Sequence, residues 1–336
     1  MNVQVPLVNP VKIAKPPSVL ARVMVMLCTA AVLALLFYHV GISGVRGVIA
    51  GISPAYWIGL IGLTLFLGFL PAWRWKLILD SVGFRISVFE CLVIILGVWP
   101  LSALSPSKSG DFLRAVCLRK RIGPTIVIGS VLTERFFDLF SLAIWALVGS
   151  LFLQQAPAAL ISGLIVLGFI ILILVVDRQF TIPFSARFTL KLQDLLRTLR
   201  QVRKSRHYLA FVFLISVGKW FLTFVLTKAL FSAIGIDVPL VYALSAMPVA
   251  IVAGLLPVTL GGMGIREGAM MVLFADYAAP EQILAVGLLY TFLGYWLFSF
   301  PGLIFTKRVL GGWQASQPPG APGENELVTL AGMGDR

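Results

Sequence analysis

Charged and metal-binding residues are scarce in this sequence of 336 residues. It contains 27 lysines and arginines, 14 aspartates and glutamates, two histidines and three cysteines. So few charges cannot cover the surface of a water-soluble protein of this length, which excludes a soluble globular fold. The few histidines and cysteines have no metal-ligand spacing, so we predict no metal, no cofactor and no disulfide framework.

Catalytic motifs are also missing from the sequence. It has no nucleophile elbow and no Walker-type phosphate loop, so we assign no catalytic residue and expect no enzyme activity. Tyr290, Tyr295 and Trp296 are interpreted as packing or interface aromatics. The net charge of +13 does not indicate nucleic-acid binding, because the basic residues lie mainly between apolar segments. That distribution is the one the positive-inside rule produces in membrane proteins.

What the sequence does contain is a series of long apolar segments. Crossing about 30 Å of hydrocarbon takes about 20 helical residues. Six segments reach this length, at 20–40, 54–73, 124–153, 157–176, 208–234 and 282–306. We therefore predict an all-α polytopic membrane protein, with a single transmembrane domain over 1–306 and a disordered cytoplasmic tail over 307–336.

Two further apolar segments, 88–121 and 240–276, are interrupted by clusters of Pro, Gly and Ser. If the first crossed the membrane completely, the basic residues between 108 and 121 would lie outside, against the positive-inside rule. We therefore predict that both are re-entrant helical hairpins, which makes eight apolar segments in all. Both termini then lie in the cytoplasm, and Arg74 and Lys76 lie in a cytoplasmic connection of a bacterial inner-membrane protein.

This threading divides the chain into two halves of opposite orientation, about 20–153 and 157–306, which is an inverted repeat. Each half carries a leucine, a glycine and an arginine at the same spacing. These residues are Leu104, Gly110 and Arg114 in the first half and Leu256, Gly262 and Arg266 in the second.

A helix broken inside hydrocarbon leaves backbone N–H and C=O groups that need surrounding protein or a water-filled cavity. We expect Ser107 or Ser109 to cap a new helix near Gly110, and a second new helix to begin at Ile265. Helix N-termini attract anions, and an arginine fork matches phosphate oxygens. Candidate substrate-binding residues here are Lys108, Gly110, Arg114, Gly261, Gly262, Gly264, Arg266 and Glu267. For Arg114 the alternative is a plain basic loop.

Glu134, Arg135 and Asp138 are placed well inside the third predicted span, where ionisable side chains are costly unless they pair or face a cavity. Lys219, in the middle of the fifth span, is a possible partner. We interpret the three residues on the third span as further candidates for substrate binding or proton coupling. The alternative is a buried ion-pair network that fastens this helix to Arg266 and Glu267 of the second hairpin.

Three stretches resemble the transmembrane domain of lysylphosphatidylglycerol synthetases and related stand-alone flippase-like membrane proteins. They are SPSKSGDFLRA at 105–115, TERFFDL at 133–139 and LGGMGIREG at 260–268. The resemblance covers about residues 20–306 and implies translocation of a lipid across the cytoplasmic membrane. The chain ends soon after the last span, so we do not expect the aminoacyl-transferring domain of the two-domain members, or lipid synthesis.

The leading hypothesis is a lipid flippase or transporter for an anionic or lipid-linked substrate. The resemblance implies membrane lipids as partners, namely an anionic phospholipid, a hopanoid or a polyprenyl-linked glycan. One alternative is an intramembrane enzyme that uses Glu134 or Glu267 as a general acid or base on a lipid phosphate. Another is a scaffold for envelope-synthesis enzymes.

Overall fold

The computed structural model of the protein describes residues 19–105, 108–118, 121–175, 196 and 198–314, and all regular structure in these ranges is helical. Six helical stretches are long and apolar enough to cross a membrane. They are Val23–Val40, Pro54–Ser81, Pro124–Phe152, Ala156–Leu174, Arg206–Ala233 and Pro280–Lys307. The six predicted spans are each found, and two shorter apolar helices open the two interrupted segments.

The helices follow one another in chain order as α1 (Val19–Val40), α2 (Ile42–Ala50), α3 (Pro54–Ser81), α4 (Val88–Ala103), α5 (Arg114–Leu118), α6 (Pro124–Phe152), α7 (Ala156–Val175), α8 (Arg206–Ala233), α9 (Leu240–Ala253), α10 (Ile265–Leu273), α11 (Pro280–Thr291) and α12 (Leu297–Gln314). A 3₁₀ turn, Ser109–Leu113, precedes α5, and a π-helical turn, Phe292–Trp296, joins α11 to α12.

The outer helices present apolar side chains to their surroundings. On α7, Leu160, Ile161 and Leu164 are each at least 60% exposed. A continuous apolar surface of this kind would associate in water, so hydrocarbon is its natural solvent.

Both interrupted segments break where the sequence predicts, although the first is capped differently. The new turn after α4 begins at Lys108, which has a left-handed backbone with φ of 54°. Ser109 is not the cap, because the Ser105 hydroxyl accepts the Gly110 N–H at 2.7 Å. Ser107, the other predicted cap, lies outside the described residues. In the second segment α10 begins at Ile265 as predicted.

Local structure repeats along the chain with a constant shift of 152 residue numbers. Helix α8 begins and ends 152 positions after α3, and α9 begins 152 positions after α4. Between these helices Gly83 and Gly235 have φ of 84° and 80°. The N–H of the residue after each glycine bonds the carbonyl five residues back, at 3.0 Å. The three matched residue pairs in the sequence are therefore part of a longer internal repeat.

The two repeats pack against each other reciprocally. Helix α4 of the first repeat packs on α12 of the second, α9 packs on α6, and α3 packs on α8. Glycines permit the close crossings, because a Cβ on Gly149 of α6 would lie 2.5 Å from the Ser245 nitrogen of α9. Likewise a Cβ on Gly302 of α12 would collide with the Leu96 carbonyl of α4. Such exchanged contacts are typical of a two-fold relation between the repeats.

Three boundaries differ from those predicted. Helix α3 continues to Ser81, so Arg74 and Lys76 lie within a helix and not in a loop after it. Arg74 can lie within this apolar helix because buried carboxylates of α6 neutralise its charge, as described below. The connection after α1 contains the short helix α2. Helix α12 continues to Gln314, beyond the predicted start of the tail at 307, and 315–336 lie outside the described residues.

Candidate functional site

A polar cavity of about 80 Å³ lies between α3, α4, α6, α8, the 3₁₀ turn with α5, and the π-helical turn. Its wall contains five basic and three acidic side chains, which is unusual for a site inside an apolar helix bundle. The lining residues are Pro71, Arg74, Trp99, Ser102, Ala103, Lys108, Asp111, Arg114, Glu134, Arg135, Asp138, Lys219 and Tyr295.

Arg74 of α3 is the central cation of this wall and is only 2% exposed. Its two terminal nitrogens donate to the two oxygens of Asp138, at 2.7 and 3.2 Å. The same guanidinium contacts Glu134 Oε1 at 3.4 Å and the Ser216 hydroxyl at 3.0 Å. This bidentate geometry compensates a charge that could not otherwise be held in a helix of the bundle.

Asp138 also contacts three groups besides Arg74. Lys219 Nζ and Trp220 Nε1 of α8 each donate to Asp138 Oδ1 at 2.9 Å. Arg135 Nη1 lies 3.7 Å from Asp138 Oδ2. The predicted partnership of Lys219 with the charged residues of α6 is observed.

Arg114 connects the first interrupted segment to α6. Its Nη1 donates to Glu134 Oε2 at 2.5 Å, and its Nη2 lies 3.6 Å from Asp111 Oδ1. The other oxygen of Asp111 pairs with Arg135. Arg114 is 5% exposed, so it belongs to a buried network and not to a solvated basic loop.

The second interrupted segment holds a separate cluster around Arg266. Arg266 Nη2 donates to Glu267 Oε1 at 2.7 Å and to the Thr291 hydroxyl, while Nη1 donates to the Tyr295 hydroxyl at 3.2 Å. Its guanidinium also lies 4.9 Å from the ring centroid of Tyr290. Within the part of the chain that the structure describes, Arg266 and Glu267 form no ion pair with α6. The predicted fastening of α6 to these two residues is therefore wrong: Thr291 binds both partners, so the pair fastens α10 to α11 instead.

The two interrupted segments nevertheless meet. The Gly261 N–H bonds the Ser105 carbonyl at 3.4 Å. Tyr295, from the π-helical turn, lies at this junction, where its hydroxyl accepts from Arg266 and the Lys108 ammonium lies 4.4 Å from its ring centroid. Tyr295 is thus the side chain that joins the Arg266 cluster to the cavity wall.

Six predicted site residues line the cavity, namely Lys108, Arg114, Glu134, Arg135, Asp138 and Lys219. Gly110 packs against Ser102, which lines the cavity, and a Cβ on Gly110 would lie 2.6 Å from the Ser102 backbone. The remaining predicted residues are Gly261, Gly262, Gly264, Arg266 and Glu267, which form or follow the second turn outside the wall. Sequence reasoning missed Arg74, Asp111 and Tyr295. Two carboxylates on one buried helix face were the signal that a further cation such as Arg74 was needed.

Comparisons with known proteins identify a family of membrane proteins. The family described as the lysylphosphatidylglycerol synthase TM region matches residues 19–302. A UPF0104 membrane protein of Methanothermobacter thermautotrophicus is 23% identical over 306 residues, covering 81% of this chain and 90% of the relative. Another, of Archaeoglobus fulgidus, is 24% identical over 269 residues, covering 70% and 81%. The chain therefore belongs to the lysylphosphatidylglycerol synthase TM region family and is a multi-pass membrane protein.

Proposed function

We propose that the protein moves a lipid with an anionic headgroup across the cytoplasmic membrane and leaves it chemically unchanged. The observation that carries this proposal is the charged cavity inside a bundle of membrane-spanning helices, at the place where two interrupted segments meet. Burying so many ionisable groups in an apolar bundle is costly, so a polar guest is the natural reason for keeping them.

In this proposal each of the short helices α4 and α9 enters the membrane, and the chain then turns back to the side from which it entered. They contain 16 and 14 residues, which is about 24 and 21 Å of helix, less than the roughly 30 Å of hydrocarbon. Each is followed by a turn and a shorter helix that contacts it or its turn. With both segments re-entrant, the two termini lie in the cytoplasm, and the repeats have inverted orientation.

The path of the lipid follows from this arrangement. The headgroup occupies the cavity while the acyl chains stay in the bilayer. The two repeats, packed through α4 on α12 and α9 on α6, rock against each other to open the cavity to one leaflet and then the other. The membrane lipid is therefore the partner that the site requires.

The surroundings of the carboxylates support transport over chemistry. A general base needs an oxygen free to take a proton from its substrate. Both oxygens of Glu134 already accept from arginines, Arg74 on one side and Arg114 on the other. Glu267 binds Arg266, Thr291 and the Gly264 N–H, and it does not line the cavity.

The test is lipid movement in proteoliposomes that contain the full chain and tail-labelled phosphatidylglycerol or phosphatidate, read as loss of protection from a membrane-impermeant quencher. We expect at least one label to cross faster than in empty liposomes. Arg135→Gln should slow that lipid about tenfold, because Arg135 lines the cavity and is partly exposed. Lys228→Gln is the matched control, since Lys228 pairs with exposed Asp237 away from the cavity.

Two results would contradict the proposal. One is no acceleration of any label, which a scaffold predicts, or equal acceleration by wild type and Arg135→Gln, which would place the path of the lipid away from the cavity. The other is a change of lipid mass after incubation, which an enzyme predicts.

A further inference from the structure

The hydrogen-bonding state of the cavity wall selects the chemical class of the guest. All six oxygens of Asp111, Glu134 and Asp138 already lie against a guanidinium or ammonium group. No carboxylate oxygen is therefore left over for a cationic headgroup such as an aminoacyl ester. The wall therefore favours a guest that accepts hydrogen bonds.

Donors do remain unused. Arg74 and Arg114 are 2% and 5% exposed, and the Nε of each lacks a hydrogen-bond partner among the described residues. Lys108 lies over the ring of Tyr295 and hydrogen-bonds its hydroxyl, but it has no carboxylate partner in the same ranges of the chain, so part of its donor capacity remains. A buried donor without an acceptor costs roughly 1–3 kcal/mol, so an acceptor supplied by a ligand would relieve it.

The formal charge of the wall sets how negative that guest should be. Five basic side chains face three acidic ones, which leaves two positive charges uncompensated. A phosphate monoester carries roughly two negative charges near neutral pH, whereas a phosphate diester carries about one. A monoester therefore neutralises the wall, and a diester leaves one buried charge unpaired.

The size of the cavity agrees with a small terminal group. Its volume is about 80 Å³, and a terminal phosphate is a group small enough to enter it.

From these observations we propose that the cavity binds the terminal phosphate of a lipid phosphomonoester. Lys108 and the guanidinium groups of Arg74 and Arg114, which line the cavity, act as its donors, and cationic and zwitterionic headgroups are rejected. This assignment rests on the proposed transport function and names the substrate class of the same site. Arginine forks suit the three terminal oxygens of a monoester.

Binding is tested separately from transport, on the full chain in detergent. The probes are dihexanoyl phosphatidate, dihexanoyl phosphatidylglycerol, dihexanoyl phosphatidylethanolamine and inorganic phosphate, and the readout is the dissociation constant. We expect phosphatidate to bind at least tenfold more tightly than the two phosphodiesters. Lys108→Gln should weaken phosphatidate binding about tenfold, and Lys228→Gln should not change it.

Each other outcome overturns the assignment. Equal binding of phosphatidylglycerol and phosphatidate would remove the monoester preference, and tighter phosphatidylethanolamine binding would remove the exclusion of cations. Inorganic phosphate binding as tightly as phosphatidate would make the ligand a free anion and not a lipid. Unchanged phosphatidate binding by Lys108→Gln would place the ligand elsewhere. If phosphatidylglycerol alone moved in proteoliposomes, the transport function would stand and the monoester assignment would fail.

Discussion

The two interrupted segments share a backbone plan and differ in what surrounds their arginine. Arg114 borders an open cavity together with Arg74, Asp111 and Glu134. Arg266, 152 positions later, is enclosed by Glu267, Thr291 and two tyrosine rings. The same local structure therefore produces a polar cavity in one repeat and a closed, buried ion pair in the other.

Three positions account for much of this difference. Leu226 of α8, buried in an apolar cluster, occupies the place that Arg74 occupies in α3, and Val286 and Tyr290 stand 152 positions after Glu134 and Asp138. Helix α11 therefore offers Arg266 no carboxylate at these positions, and this arginine pairs with the neighbouring Glu267 instead. We infer that the two repeats have different roles: the first supplies most of the cavity wall, to which the second adds Lys219 and Tyr295, and the second supplies a rigid frame around Arg266.

The largest effect that can test this comparison is expected at the glycines of the two turns. Gly262 has φ of 78°, and a Cβ there would collide with the Gly254 carbonyl oxygen. Gly262→Ala combines backbone strain with a clash against rigid backbone, so we expect a loss of about 4 kcal/mol or more in the free energy of unfolding. Little folded protein should then be recovered by size-exclusion chromatography in detergent.

Gly110→Ala should lower the free energy of unfolding by less than Gly262→Ala does, because Gly110 lies close to the Ser102 backbone but has no positive φ. Gly268→Ala is the control, since a Cβ on Gly268 would meet no atom within 4 Å. Equal recovery of the Gly262 and Gly268 variants would show that the second turn is not the rigid frame inferred above.

A smaller effect is expected when the two arginines are exchanged for glutamine. Arg266→Gln leaves Glu267 buried without a cation, so the free energy of unfolding should fall by about 3 kcal/mol. Arg114→Gln should lower the free energy of unfolding by roughly half as much, because Glu134 keeps Arg74 as a partner. In return, Arg114→Gln should slow lipid movement more than Arg266→Gln does.

Both variants can be compared by denaturation in mixed micelles and by the proteoliposome assay. A stability loss that is larger for Arg114→Gln would reverse the assignment of wall and frame.

The sequence predicted the spans and both interruptions because the length of an apolar segment and a cluster of helix-breaking residues are local signals. It also located Lys219 and Asp138, since intramembrane charges must find partners. Arg74 was missed because the positive-inside rule already explained a basic residue near the end of a span. Tyr295 was interpreted as a packing aromatic, since its role depends on a π-helical turn that brings Lys108 and Arg266 to the same ring. Such convergence of distant segments has no signature in residue spacing.

The smallest expected effect concerns the link between wall and frame. Tyr295→Phe removes the hydroxyl that accepts from Arg266 Nη1 at 3.2 Å and keeps the ring beneath Lys108. We expect a loss of about 1–2 kcal/mol in the free energy of unfolding, because a hydrogen bond to a charged donor is lost. Tyr290→Phe is the matched control, since Tyr290 faces the same guanidinium through its ring.

If Tyr295 only stabilises the frame, Tyr295→Phe will lower stability and leave the rate of lipid movement unchanged. If it transmits movement between the repeats, the rate will fall by more than the loss of stability explains, and Tyr290→Phe will not reproduce the fall. A change confined to stability would mean that the repeats are coupled through helix packing, at Gly149 and Gly302, and not through this hydroxyl.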